Sequence, residues 1–159
     1  MVKEELIGIL KGVADFFNRS TRCLEESDAA FAPKEGMFSV LHHVAHSAQT
    51  IDWFFAGAFD PNGFDMNLEK HEQEVRQCTT LGAARQWFDK SINQAIETIS
   101  SKSEEEWCAP LPEGPVMGGL PRYSIVGAIS DHTAHHRGAL TVYARMLGKT
   151  PAMPYSDPQ

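Results

Sequence analysis

The chain is short of cysteine, of basic residues and of long apolar runs. Its three cysteines, Cys23, Cys78 and Cys108, stand far apart, with no CxxC pair. That argues against a disulfide framework and against a zinc–thiolate site, and it fits a reducing cytoplasm. Lys and Arg number 14 against 21 Asp and Glu, a formal net charge of −7. No basic patch stands out, so no nucleic-acid partner is expected. No apolar run reaches the roughly 18 residues a membrane span needs, so no membrane association is expected either. The opening MVKEELIGIL is acidic and reads as the start of a helix, not as a signal peptide. Repeats, low-complexity segments and strand-length alternation are all missing. The remaining expectation is one all-α domain over residues 1–159, long enough to bury a real core.

Histidine is distributed unevenly. Six of the seven lie in two short clusters, HHVAH (42–46) and HTAHH (132–136). The second cluster sits in the stretch Tyr123 to Gly148, which reads as a long helix. At 100° per residue, Ile125, Ala128, Ile129, Ala139, Tyr143, Met146 and Leu147 share the side of His132, while Arg137, Thr141 and Arg145 fall opposite. His132 and His136, at i and i+4, point the same way from the middle of that apolar stripe, and His135 lies at its edge. Burying imidazoles without partners is costly, so something must satisfy them. A metal ion is the leading candidate, and hydrogen-bonded core histidines are the bland alternative.

The other helices read as follows. Val2 to Glu25 carries Leu6, Leu10, Val13 and Phe17 at helical spacing and needs only core packing to explain it. Ser39 is placed to cap a second helix running to about Phe59. Val44, Ala48, Ile51 and Phe55 form one face of it. His46, Gln49, Thr50 and Trp53 form the other, flanked by His42 and His43. Asp52 is the segment's one charge, and a helix without a charged face is usually covered on both sides. Phe64 to Thr79, with His71 and Glu72, is polar and mixed and is taken as surface; His71-Glu72 makes no HExxH motif, because position 75 is Val. Thr80 caps a third long helix to about Ile99, with Trp87 and Phe88 assigned to the core. Ser103 and Glu106 suit a capping box. Pro110 to Pro121 is long for a loop in a compact domain, equally a functional lid or a connector. Four helices joined this way favour an antiparallel bundle, and the link of about 20 residues after the second helix leaves room for a crossover.

The chemistry needs a third ligand from another helix, because one helix face cannot close a site. The second helix offers His42, His43 and His46. Three neutral imidazoles suit Zn²⁺, Ni²⁺ or a similar cation at about 2.0–2.1 Å and leave a position open, as in catalytic sites. Gln49, Thr50, Asp131 and Tyr143 are candidates to accept or donate the second-layer hydrogen bonds.

SVLHHVAHSAQTIDWFFAGAF and SDHTAHHRGALTVYARMLGKTPAMPY resemble the DinB/YfiT-like metalloenzyme family, the second through the pattern HxxxHRGxL…LG…P. The resemblance spans nearly the whole chain. It implies a four-helix bundle in up-down-down-up order, a homodimer of such bundles, and a divalent metal held by His46, His132 and His136. Ala139 stands where many members have Gln. Some relatives are transferases or isomerases that use low-molecular-weight thiols, so the first expectation is a metal-dependent thiol S-transferase acting on a small molecule. A metal-dependent hydrolase and a non-catalytic, stress-related metal- or small-molecule-binding protein are the alternatives. His135 and His43 are the candidates for a general base or an orienting group.

Overall fold

The computed structural model describes residues 2–156. Six α-helices follow in order: α1 Val2–Thr21, α2 Val40–Phe59, α3 Leu68–Gln77, α4 Leu81–Ser101, α5 Glu104–Cys108 and α6 Ser124–Met146. Among the described residues there is no strand, only an isolated bridge between Pro110 and Pro121. The helix starts follow their side chains. Ser39 Oγ accepts from the His42 N–H, Thr80 Oγ1 from the Ala83 N–H, and Ser103 with Glu106 forms a full capping box. Gly148, at φ +76°, stops α6 as the C-terminal glycine should.

The four long helices pack in a ring, with α1 beside α4 and α6, and α2 beside α4 and α6. Their directions follow from which residues meet. Phe17 stacks on Phe88 and Lys3 reaches the Ser100 carbonyl, so α1 and α4 are antiparallel. His43 meets Tyr143 and His46 meets His132, so α2 and α6 are antiparallel. Asp52 meets Trp87, while the later Phe55 shares a hollow with Gln94 and Thr98, so α2 and α4 run parallel. Glu5 lies beside Ser124 and Phe16 beside Arg137, so α1 and α6 are also parallel. The order is up-down-down-up, as the family resemblance implies, and the crossover that the long link allows is used. A parallel α2–α4 pair forces the chain to return along α2 before α4 begins. That return is residues 60–80, and it carries α3. The segment taken as surface is therefore a helix laid against α2, with only Val75 fully buried.

Phe64 fixes the return. Its ring lies on Gly57 so closely that a Cβ there would come within 2.3 Å of it. Trp53 also packs against that ring, at 4.9 Å between centroids. At the opposite end, α1 stops at Thr21, not Glu25. Arg85 takes the carbonyls of Thr21 and Leu24, and the Glu26 carboxylate receives the Leu81 and Gly82 N–H groups at the start of α4. An anion there offsets the helix dipole and two unpaired donors.

Other expectations meet mixed outcomes. Phe88 is core, but Trp87 is half-buried and donates its indole N–H to Asp52 Oδ2 at 2.7 Å, answering the one charge of α2. Met146 is exposed, beyond the reach of the bundle. Tyr155 of the tail packs edge-on against Phe16, while residues 157–159 lie outside the described part of the chain.

Candidate metal centre

Antiparallel packing of α2 against α6 sets the two histidine clusters face to face. His46, His132 and His136 each offer one ring nitrogen, and the three atoms lie within 4.8 Å of one another. His132 Nε2 and His136 Nε2 are 3.2 Å apart. Two nitrogens bound to one cation at about 2.0–2.1 Å and a near-tetrahedral angle sit about 3.3 Å apart, so this edge already has the right length. The ring of His46 stands 5.1 Å from His132 and 5.0 Å from His136, between centroids.

A hydrogen-bond chain behind His136 has one possible direction. It ends on the Phe38 carbonyl oxygen, which can only accept. Tyr143 O–H therefore donates to it, at 3.1 Å. The Tyr143 oxygen then accepts from His43 Nε2–H, at 3.3 Å. That leaves His43 Nδ1 as an acceptor, and His136 Nδ1–H donates to it at 2.8 Å. His136 is thereby fixed as the tautomer whose Nε2 lone pair faces His132 and His46. Ligating histidines usually donate their second N–H in this way. Both ring nitrogens of His43 are engaged, so it orients and does not stand free as a base.

Burial keeps these imidazoles neutral. It pushes His136 down to about 2, with the neighbouring His132, His46, His43 and His135 adding to the effect. His132 and His43 are each pushed down to about 4, again mainly by burial and then by the other histidines. His46 is lowered by burial and partly restored by the Glu72 carboxylate. Neutral imidazoles are the form that binds a borderline cation, so the donor set fits a divalent metal such as zinc or nickel.

His46 and His132 also line a hollow of about 380 Å³, closed by Gln49, Thr50, Trp53 and Phe54 of α2 and by Leu68, His71 and Glu72 of α3. The crossover helix thus supplies one wall of the site. His71 Nε2 and Trp53 Nε1 both donate to the Asp65 carbonyl, at 2.9 and 2.8 Å, tying α3 to α2.

The remaining candidates fall elsewhere. His42 is half-buried beside Phe38. His135 and Asp131 are exposed and do not line the hollow. The loop 110–121 is not a lid over the histidines. It folds back on itself through Leu111 N–H to Leu120 O, and Arg122 anchors it to the Ala58 carbonyl. Ala58 lies 12 residues beyond His46 along α2, about 18 Å away. Sequence reasoning missed α3 because its face carries one buried residue. The available signals were Asn67 as a cap and Glu72–Arg76 at i, i+4, which pair at 2.8 Å.

An up-down-down-up helical bundle with three imidazoles converging from two helices defines the class. The chain belongs to the DinB family, whose sequence profile matches residues 6–158. It is similar in fold to YfiT from Bacillus subtilis, described as a probable metal-dependent hydrolase with an unusual four-helix bundle topology, at TM-score 0.69 and 12% identity over 93% of this chain and 89% of that one. It is also similar to a mycothiol-dependent maleylpyruvate isomerase, at TM-score 0.71 and 16% identity over 87% of this chain. The chain spans 60% of that isomerase. No curated protein matches the chain closely enough to count as a relative.

Proposed function

We propose that the protein is a divalent-metal-dependent enzyme of the thiol S-transferase type, with His46, His132 and His136 as the metal ligands. The observation that carries this reading is the convergence of three neutral imidazoles beside a hollow of about 380 Å³. A bound zinc or nickel ion would supply a position that holds a thiol as its thiolate at neutral pH. The chain's own residues do the rest. His43 and Tyr143 hold His136 in the ligating tautomer. Trp53, Phe54 and Leu68 keep water from much of the hollow and receive the electrophile. None of Cys23, Cys78 or Cys108 lines it, so the nucleophilic sulfur comes from an external low-molecular-weight thiol.

One observation favours a second reading. The Glu72 carboxylate lines the same hollow, and a carboxylate beside the imidazoles is the group that a hydrolase would use as its base. YfiT's description points the same way.

The test is conjugation of a chlorodinitrobenzene electrophile with a panel of low-molecular-weight thiols, using tag-free protein loaded with zinc or nickel. The proposal expects turnover that disappears with a chelator and in His132→Ala. Turnover of a nitrophenyl ester without thiol would select the hydrolase. Metal binding with neither activity would leave a metal- or small-molecule-binding protein.

A further inference from the structure

The hollow carries information about its occupant that the three histidines do not use. Gln49 and Thr50 line it and are each only 6% exposed. Neither the Gln49 amide nor the Thr50 hydroxyl makes a hydrogen bond among the described residues, although the buried Ser47 beside them back-bonds to the His43 carbonyl. No polar atom of Gln49 or Thr50 is both unpartnered and shut off from solvent, so water or a ligand in the hollow is what meets them. These two side chains lie at i+3 and i+4 from His46, one helical turn along the same face. Thr50 and Gln49 thus stand about 5.4 Å along the helix from the imidazole end, with Gln49 also lining an adjoining hollow beside Asp52 and Trp87.

The remaining lining sets the charge and the body of the occupant. Trp53, Phe54 and Leu68 are apolar. No lysine or arginine lines the hollow, and its one carboxylate, Glu72, is held by Arg76 at 2.8 Å. In the metal-free protein an anion in the hollow would meet no lysine or arginine of the lining, since the guanidinium of Arg76 is committed to Glu72. A cation would compete with Arg76 for the same carboxylate. Leu68 is 66% exposed at the rim, so apolar surface is available at the entrance.

We propose that the hollow binds an uncharged small molecule with an apolar body and a carbonyl, carboxamide or hydroxyl group, that group being held by Gln49 and Thr50. Gln49 is the specificity-determining residue. The inference rests on the metal-enzyme reading for the claim that this ligand is the substrate, but not for the binding itself.

Four probes that share a phenyl ring separate the possibilities: the isosteric benzamide, benzoate and benzamidine, and the apolar toluene. Binding is read by chemical-shift changes of the tryptophan indole N–H signals, with the protein kept in chelator so that benzoate cannot ligate a metal. The expected result is that benzamide binds about tenfold more tightly than the other three. Gln49→Leu should abolish that preference and make toluene the better ligand, and Gln49→Glu should reverse the order in favour of benzamidine. Equal or tighter binding of benzoate, an unchanged preference in Gln49→Leu, or no binding of any probe at millimolar concentration would overturn it. Zinc uptake, measured on the same purified protein after the chelator is removed, keeps the two readings apart. A benzamide preference in a protein that takes up no zinc defeats the metal reading alone. Zinc uptake without the preference defeats this one alone.

Discussion

His136 shows how much a single side chain depends on groups that lie behind the three-imidazole cluster. Its Nε2 is available only because its Nδ1–H is committed to His43, and His43 is committed only because Tyr143 bonds the Phe38 carbonyl. Tyr143→Phe keeps the ring that packs against Phe31 and removes the hydroxyl. It should weaken zinc binding about tenfold with little loss of stability, read by competition with a chromophoric chelator. Unchanged affinity would show that the chain does not orient His136. A second consequence concerns pH. His43, His132 and His136 have pKa values below the usual 6.5 when folded, so from about 6.5 down to about 4 for the first two, and on to about 2 for His136, the unfolded chain binds more protons than the folded one. Stability from neutral imidazoles is complete above 6.5 and is lost as pH falls through that window. Thermal melts of chelated protein should show the melting temperature dropping across it, and a flat profile would contradict the buried, neutral state. At this scale the sequence was partly legible. Periodicity put His132 and His136 on one face. It did not choose among His42, His43 and His46, because steps of 100° leave all three near the pocket side. The family resemblance picks His46 from the three, and packing against Tyr143 and Phe38 assigns His43 to orientation and leaves His46 facing His132.

Among the elements, α3 is the decisive one and the one least visible in the sequence. Its side chains are mostly solvated, so no apolar stripe announces it, yet it forms a wall of the hollow. Its position depends on a contact outside itself, the Phe64 ring on Gly57. Gly57→Ala would drive a methyl into that ring and should cost about 1–3 kcal/mol in urea unfolding. The same change should loosen α3 and raise amide exchange over residues 68–77. Loss of stability without faster exchange there would mean that Phe64 does not hold the crossover. The helices with strong caps were easier to read. Ser39, Thr80 and Ser103 start α2, α4 and α5 where their side chains demanded. The end of α1 was misjudged by four residues because Arg85, 64 positions from Thr21, terminates it. A contact so distant in sequence leaves no local signal.

For the whole molecule, the helical class follows from composition and period, but the order of helices does not. Loop lengths alone favour antiparallel neighbours, and the chain instead pairs α2 with α4 and α1 with α6 in parallel. That arrangement puts α2 and α6 antiparallel across the bundle, which brings residues 42–46 against residues 132–136. It also spends the link after α2 on a return helix that roofs the space beside them. No described helix is long and apolar enough to cross a membrane. The most direct test of the account is calorimetric titration of zinc into tag-free, chelator-stripped protein, run beside His46→Ala and His132→Ala. The account predicts one equivalent per chain, with affinity falling about 100-fold or more in either variant and the helical circular dichroism unchanged. Zinc uptake that is absent from the wild type, or identical in all three proteins, would contradict it.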